Sequence, residues 1–494
     1  MGITEVVRAP ETSPANRVNL GGIARDVATL GSGTLLATVF NILLVFLIPR
    51  LVSVENYGYW RIFLLYSVYA GFLHLGLADG ALLRWGGRPF EDFHHEILPS
   101  LKFLFVQHSV ILLPAAFAVM MLFRRELRFV GIAVLAFILL INLITLLQFG
   151  LQSSRNFAPV AISSAGPVGM FLALVFLCEF WRVPDFRVLI LLYFAAWSAT
   201  LGYLLATVKP TSAANVGDST WKLGKDHIAL GWPVLLAGNG LVLVQSVDRL
   251  VVSWEASIQG FAMYSLAASA TVTIALALIV AAFRVFFPHL AALERQQHRE
   301  VYATASRLLF LCWALILPYY FVLEAFVKRA LPQYSGSLPV ACILLGGTVF
   351  LGEIQFLHAS FAYVYGRQRT FLWYTLAALV LTFLIAVGAA FGTHSLRIVA
   401  AGEVVALGLW WMFDEWQLRE LTGQTPKEWL ALLGLFCWAL VSYWVALHQF
   451  HSGPARMAVY YGMVAGALWL VCSAELRLIL KFLTFARSRV LQAV

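Results

Sequence analysis

The chain has 494 residues, of which 61% are hydrophobic and only 12% charged, with a mean hydropathy of +0.83. Soluble domains carry about twice that charge, so this composition excludes a soluble enzyme or binding module and indicates an integral membrane protein. The net charge of +9 is read as topological, a matter of which side the loops lie on, and not as a nucleic-acid footprint.

Residues 1–26 contain Glu5, Arg8, Glu11 and Arg17 and no sustained apolar core, which predicts a polar cytoplasmic lead-in and not a cleavable signal. Apolar runs of about 20 residues then follow one another, each long enough to cross a hydrocarbon layer of about 30 Å as a helix. In the first half they lie near 27–49, 62–83, 101–123, 129–150, 159–181 and 188–208. A polar link at 209–226, with Pro210, Lys222 and Lys225, separates them from runs near 228–253, 262–287, 305–327, 338–360, 371–391 and 397–413. Two further runs, 428–448 and 456–475, and a basic cytoplasmic tail complete about 14 crossings. The domains expected are therefore 27–208, 227–417 and an additional helix pair with its tail in 418–494.

The halves carry a repeat. Arg25-Asp26, Leu30-Gly31 and Leu35-Leu36-Ala37 recur as Lys225-Asp226, Leu230-Gly231 and Leu235-Leu236-Ala237, in one register 200 residues on. Seven matched positions without a gap point to a duplicated helical unit. With six crossings in each unit the halves share one orientation, which predicts two bundles related by a pseudo-twofold axis along the membrane normal and a cavity between them. Lys and Arg concentrate at loops that place both termini in the cytoplasm.

Ionisable residues inside such runs cost about 2.5–3.5 kcal/mol each on insertion scales, so they mark cavities, partners or ion paths. His74, Asp79 and Arg84 lie five apart and do not form one stripe on a regular helix. Asn41, Asn239, Gln245, Asp248 and Arg249 are further cavity candidates. Glu353 and His358, together with Asp79 and Asp248, are candidates for coupling to an ion gradient. Asn142 is expected to join helices by hydrogen bonds, and Glu324 with Lys328, four apart, to form an ion pair on one helix. His94-His95 are assigned to a solvated loop and not to a metal site, and the five isolated cysteines suggest neither a disulfide framework nor a metal. No metal or cofactor is expected. No phosphate-binding glycine loop is present, and the outer loops are too short to hold the carboxylates of a sugar polymerase or acyltransferase, the rival class.

Ile48-Pro-Arg-Leu-Val-Ser-Val-Glu55-Asn-Tyr57-Gly58-Tyr-Trp60, followed by Leu75-Gly76-Leu-Ala-Asp79-Gly80, resembles the first-to-second-helix region of bacterial polysaccharide flippases. Gly231-Trp-Pro233, Asp248-Arg249, Gly260 with Tyr264, and Phe287-Pro288 are similar to the second-half counterpart. These flippases belong to the multidrug/oligosaccharidyl-lipid/polysaccharide exporter superfamily. The resemblance covers about the first 300 residues. It implies an all-α transporter of the bacterial cytoplasmic membrane that turns polyprenyl-diphosphate-linked oligosaccharides to the outer leaflet by alternating access. Arg50, Arg61, Arg84, Arg249 and Arg284 would be the cationic cavity residues. Membrane lipids, and through the family a polysaccharide polymerase and a chain-length regulator, are the implied partners. A cation-coupled multidrug exporter and a peptidoglycan-precursor flippase are the alternatives within the superfamily.

Overall fold

The computed structural model describes residues 20–181, 185–211, 217–273, 290 and 294–493, and all regular structure among them is helical. The first crossing is α1 (Leu20–Leu51), whose start reaches back into the stretch read as a lead-in. The second is broken into α2 (Val54–Ser67), α3 (Ala70–Leu73) and α4 (Leu77–Trp85), with a bend of 53°. Leu75 and Gly76 cause it: both hold positive φ, 53° and 86°, a conformation through which a right-handed helix cannot continue. The expected straight run at 62–83 is therefore corrected to a longer, bent span.

Next come α5 (Phe90–Leu122), α6 (Arg125–Ser153), α7 (Phe157–Trp181) and α8 (Phe186–Val208). His94 and His95 lie in the first turns of α5 and not in a loop. The second half opens with α9 (Gly217–Val244) and α10 (Val247–Glu255). Residues 217–226, read as linker because they are polar, are helical; the helix simply extends past the apolar part. α11 (Ile258–Ala268) continues as a π turn, Ser269–Thr273. The rest of that expected crossing, with Arg284, Phe287 and Pro288, lies outside the described residues.

The chain then forms α12 (His298–Ile316) and α13 (Tyr319–Ala330), followed by α14 (Leu338–Gly352), a π turn at Glu353–His358, and α15 (Ala359–Val364). It ends with α16 (Gln368–Thr393), α17 (Leu396–Thr422), α18 (Pro426–Gln449) and α19 (Gly453–Ala493), the last interrupted at Cys472. Eleven helices are long and apolar enough to cross a membrane, or 12 with the bent span, so the described residues do not by themselves reach 14. The segments α9–α10 and α11 stand at the seventh and eighth expected positions.

In the first bundle α1 lies along α7, and α6 packs against α2, α5 and α8. The second is built on α14, α16 and α17, with α10 and α11 against them, while α18 and α19 pair with each other and with α12. Asn142 holds the first bundle together as expected: its Nδ2 lies 2.9 Å from the Ala70 carbonyl and 2.9 Å from His108 Nε2.

Among the contacts between the bundles, two are backbone-close. At one end α2 packs on α11, and an added Cβ at Gly58 would stand 2.5 Å from Ile258 Cγ2. Both helices begin with a serine cap: Ser53 accepts from the Asn56 N–H at 3.2 Å, and Ser257 from the Gly260 N–H at 3.1 Å. The same device starts a helix in each half, 257 − 53 = 204 residues apart and so four beyond the register of the repeat. At the other end α4 lies along α9, backbone against backbone. A Cβ on Gly80 would be 1.8 Å from the His227 carbonyl oxygen, and one on Gly231 would be 2.0 Å from that of Gly76. Only glycine permits so close a crossing.

Candidate substrate cavity

Two cavities adjoin the seam between the bundles. The first, about 450 Å³, is walled by α1, α2, α6, α7 and α8 and reaches Arg249 and Ser269 of the second bundle. The second, about 380 Å³, is walled mainly by α9–α11, α14 and α17. They share Thr38, Val68 and Arg249, so they form adjoining chambers of one space.

Arg61 and Arg249 are its cations. Arg61 projects from α2, where Nη2 donates to Ser269 Oγ at 2.5 Å across the seam and the guanidinium lies 6.0 Å from the Tyr57 ring. Its Nε is buried and has no hydrogen-bond partner among the described residues. Arg249 sits in the first turn of α10 and donates from Nη2 to the Gln245 carbonyl at 2.7 Å, bridging the break between α9 and α10. Asp248 is buried behind it. Its Oδ2 accepts from the Tyr264 hydroxyl at 2.7 Å, and its Oδ1 lies 3.9 Å from Arg249 Nε. The interaction of Asp248 with Arg249 is thus between neighbours in sequence, and the arginine head faces the cavity instead of reaching out to lipid headgroups.

One wall of the first chamber is aromatic. Trp60 stacks on Phe63 and Phe171, with ring centroids 5.6 and 5.3 Å apart, and Tyr193 and Trp197 complete that side. Flat, weakly polar surfaces next to a few fixed cations suit a ligand with an anionic group and bulky polar rings.

Of the sequence candidates, Arg61, Arg249, Asn41, Gln245 and Asp248 line this space. The side chain of Asn239 is not described, and Arg284 is outside the described residues. Arg50 is exposed near the end of α1 and lines neither chamber. Arg84 is also away from the chambers. It lies 3.3 Å from Glu96 and 3.8 Å from Asp226, in a network that Arg88 and Trp85 share through Glu96. Asp79, in α4, lies 3.8 Å from His74 Nε2 and does not face the cavity. Glu353 and His358 are wholly buried inside the second bundle.

Sequence reasoning gave too little weight to Glu403, a buried carboxylate of the second chamber, and missed Ser269 and the aromatic wall. Single serines and aromatics in apolar runs carry no periodic signal. Glu324 does pair with Lys328 at 2.6 Å, and Arg456 of α19 pairs with the same carboxylate.

No family model matches the chain, and no curated protein matches it in sequence. The chain is similar in structure to lipid II flippase MurJ in an inward closed conformation, with a TM-score of 0.68 over 90% of this chain and 99% of that one at 11% identity. It is also similar to a multidrug resistance MATE family transporter of the MOP superfamily in an inward-facing conformation, with a TM-score of 0.58 over 81% and 99% at 13% identity. The outward-facing form of such a MATE transporter gives 0.54 over 81% and 97% at 14% identity. The fold is that of a multi-pass helical membrane protein shared with MOP-superfamily transporters.

Proposed function

We propose that this chain is a transporter of that superfamily which turns a polyprenyl-diphosphate-linked oligosaccharide from the cytoplasmic to the outer leaflet, for surface polysaccharide synthesis. The observation that carries the reading is the meeting of Arg61 and Arg249, from opposite bundles, in one cavity walled by aromatic rings. Guanidinium groups donate bidentate hydrogen bonds to phosphate oxygens and stay charged at every relevant pH. The polyprenyl tail cannot leave the bilayer, because each CH₂ kept in hydrocarbon is worth about 0.8 kcal/mol. Only the diphosphate and sugars need the polar route.

The peptidoglycan-precursor alternative has the same diphosphate chemistry, and the structural likeness to MurJ supports it equally at the level of the anion. The motif resemblance around Tyr57, Gly58 and Trp60 favours the polysaccharide carrier. A cation-coupled drug exporter is favoured by the carboxylates of Asp248 and Glu403 in the second chamber. Asp248, however, is already engaged by Tyr264 and Arg249. A polymerase and a chain-length regulator would act on the product, with both termini of this chain in the cytoplasm.

The test is a deletion strain, in which lipid-linked glycans are identified by mass spectrometry and their leaflet determined by access to an impermeant probe. A defined oligosaccharide unit accumulating on the cytoplasmic leaflet supports the reading. Accumulated peptidoglycan precursor would replace the substrate, and unchanged lipid-linked sugars would overturn the assignment to lipid carriers.

A further inference from the structure

Inside the second bundle, away from the cavity, three carboxylates surround one imidazole. His358 Nδ1 lies 3.4 Å from Asp414 Oδ2, and its Nε2 lies 3.4 Å from Glu415 Oε1. Glu353, His358 and Glu415 each offer a donor atom, and these atoms all lie within 4.8 Å of one another. The four side chains are at most 4% exposed. Glu353 Oε1 accepts from Ser306 Oγ at 3.1 Å, whereas Oε2 is buried with no partner among the described residues. Glu415 Oε1 accepts from the Tyr302 hydroxyl at 2.6 Å.

The local backbone explains how these groups come together. Glu353 and His358 are five residues apart, which on a regular helix would turn them well away from each other. They are the ends of a π turn, whose wider i→i+5 winding returns them to one face. α17 brings Asp414 and Glu415 from the other side.

The charges do not balance. Three carboxylates face one imidazole, and no Lys or Arg forms an ion pair with any of them among the described residues; Arg367 only lines a small adjoining cavity of about 20 Å³ with His358 and Asp414. Uncompensated charge in such a place is costly. We propose that Glu353, His358 and Glu415 bind a divalent first-row cation of the zinc class. At metal–ligand bonds of about 2.0–2.2 Å, tetrahedral donors stand about 3.3–3.6 Å apart, the separation His358 Nε2 and Glu415 Oε1 already have. Asp414 on Nδ1 fixes the tautomer that leaves Nε2 for the metal, and Ser306 and Tyr302 orient the two carboxylates, as partners behind metal ligands do. The cation would pin α14, α15 and α17 together with α12, independently of what the inter-bundle cavity carries.

The experiment is a titration of the full-length protein, stripped by chelator and reconstituted in nanodiscs, with Zn²⁺ against a chromophoric chelator and with Co²⁺ followed by visible absorption. One ion per chain is expected, with the intense Co²⁺ bands of four-coordinate geometry. Glu353→Gln should abolish the stoichiometric site, Asp414→Asn should weaken it about 10- to 100-fold, and replacing the exposed His95 of the first bundle by alanine should leave it intact. Wild-type protein that takes up no stoichiometric Zn²⁺ or Co²⁺ would overturn the proposal whether or not the variants fold, and would mean that protons balance the cluster. Undiminished binding in a folded Glu353→Gln variant would overturn it too.

Discussion

Replacing Gly80 by alanine should pry the bundles apart at the end where α4 crosses α9. The new Cβ would lie 1.8 Å from the His227 carbonyl oxygen, whereas ordinary contact begins at 3.4 Å, so the helices must separate by about 1.6 Å at that point. The obstacle is backbone, not the tip of a side chain, and rotamer changes cannot relieve it. Overpacking of this kind costs about 1–3 kcal/mol. Because the clash exists only while the seam is closed, the penalty falls on that state alone and shifts the open-to-closed ratio by about 5- to 150-fold. Gly166→Ala is the matched control, since nothing stands within 4 Å of its added Cβ. Spin labels at Glu91 and Lys225, both exposed, would report the separation of the bundles by pulsed electron resonance in nanodiscs. A longer-distance population should grow relative to wild type in Gly80→Ala and not in Gly166→Ala. A distance distribution identical to wild type, in a monodisperse Gly80→Ala protein, would refute the claim that this glycine crossing closes the seam.

Arg61→Ala and Arg249→Ala should each slow lipid-carrier flipping about 10- to 150-fold, the equivalent of one hydrogen bond to a charged group at about 1.5–3 kcal/mol; a leaflet-accessibility assay with membrane levels held equal would measure it. Glu475→Gln should lower the melting temperature sharply, because Glu475 is 2% exposed and accepts from Arg307 Nε at 2.7 Å, and stranding one partner of a buried pair costs about 3–5 kcal/mol. Asn142→Leu should destabilise the protein by about 1–3 kcal/mol by leaving the Ala70 carbonyl without its donor, seen as a lower thermal midpoint with no loss of carrier binding. Trp60→Ala should cost about 3–5 kcal/mol through lost packing and weaken carrier binding as well, so a change in thermal midpoint alone would remove the ring from the ligand's path.

Hydropathy made the crossings legible because it measures what faces lipid. It misplaced helix ends where a helix outruns the bilayer, as at Gly217 and Phe90, since polar residues in water resemble a loop while the backbone goes on winding. The same rule ended the twelfth run at 413, because Asp414 and Glu415 looked like a membrane boundary; they are buried against His358, and α17 continues to Thr422. Polarity inside a protein-facing helix and polarity at its end read alike until the partner is known. Arg249, Gln245 and Asp248 were recognisable because arginine and carboxylate deep in an apolar run need a reason to be there. The bend at Leu75 and Gly76 and the π turn at Glu353 left no comparable mark, being set by backbone angles that depend on the neighbouring helix. The repeat was the one long-range feature visible beforehand.

Those two serines have an electrostatic consequence. They start α2 and α11 side by side, so two helix amino termini share one end of the molecule, each equivalent to about half an elementary positive charge. Serine caps satisfy N–H groups but bring no charge of their own, and Glu55 is the only acidic residue in either first turn. Together the two peptide dipoles are about the size of the Glu55 charge and of opposite sign, so the backbone offsets that carboxylate. The backbone half of that balance belongs to no side chain, so Glu55→Gln would leave this end positive and favour an anion moving past Arg61 towards it.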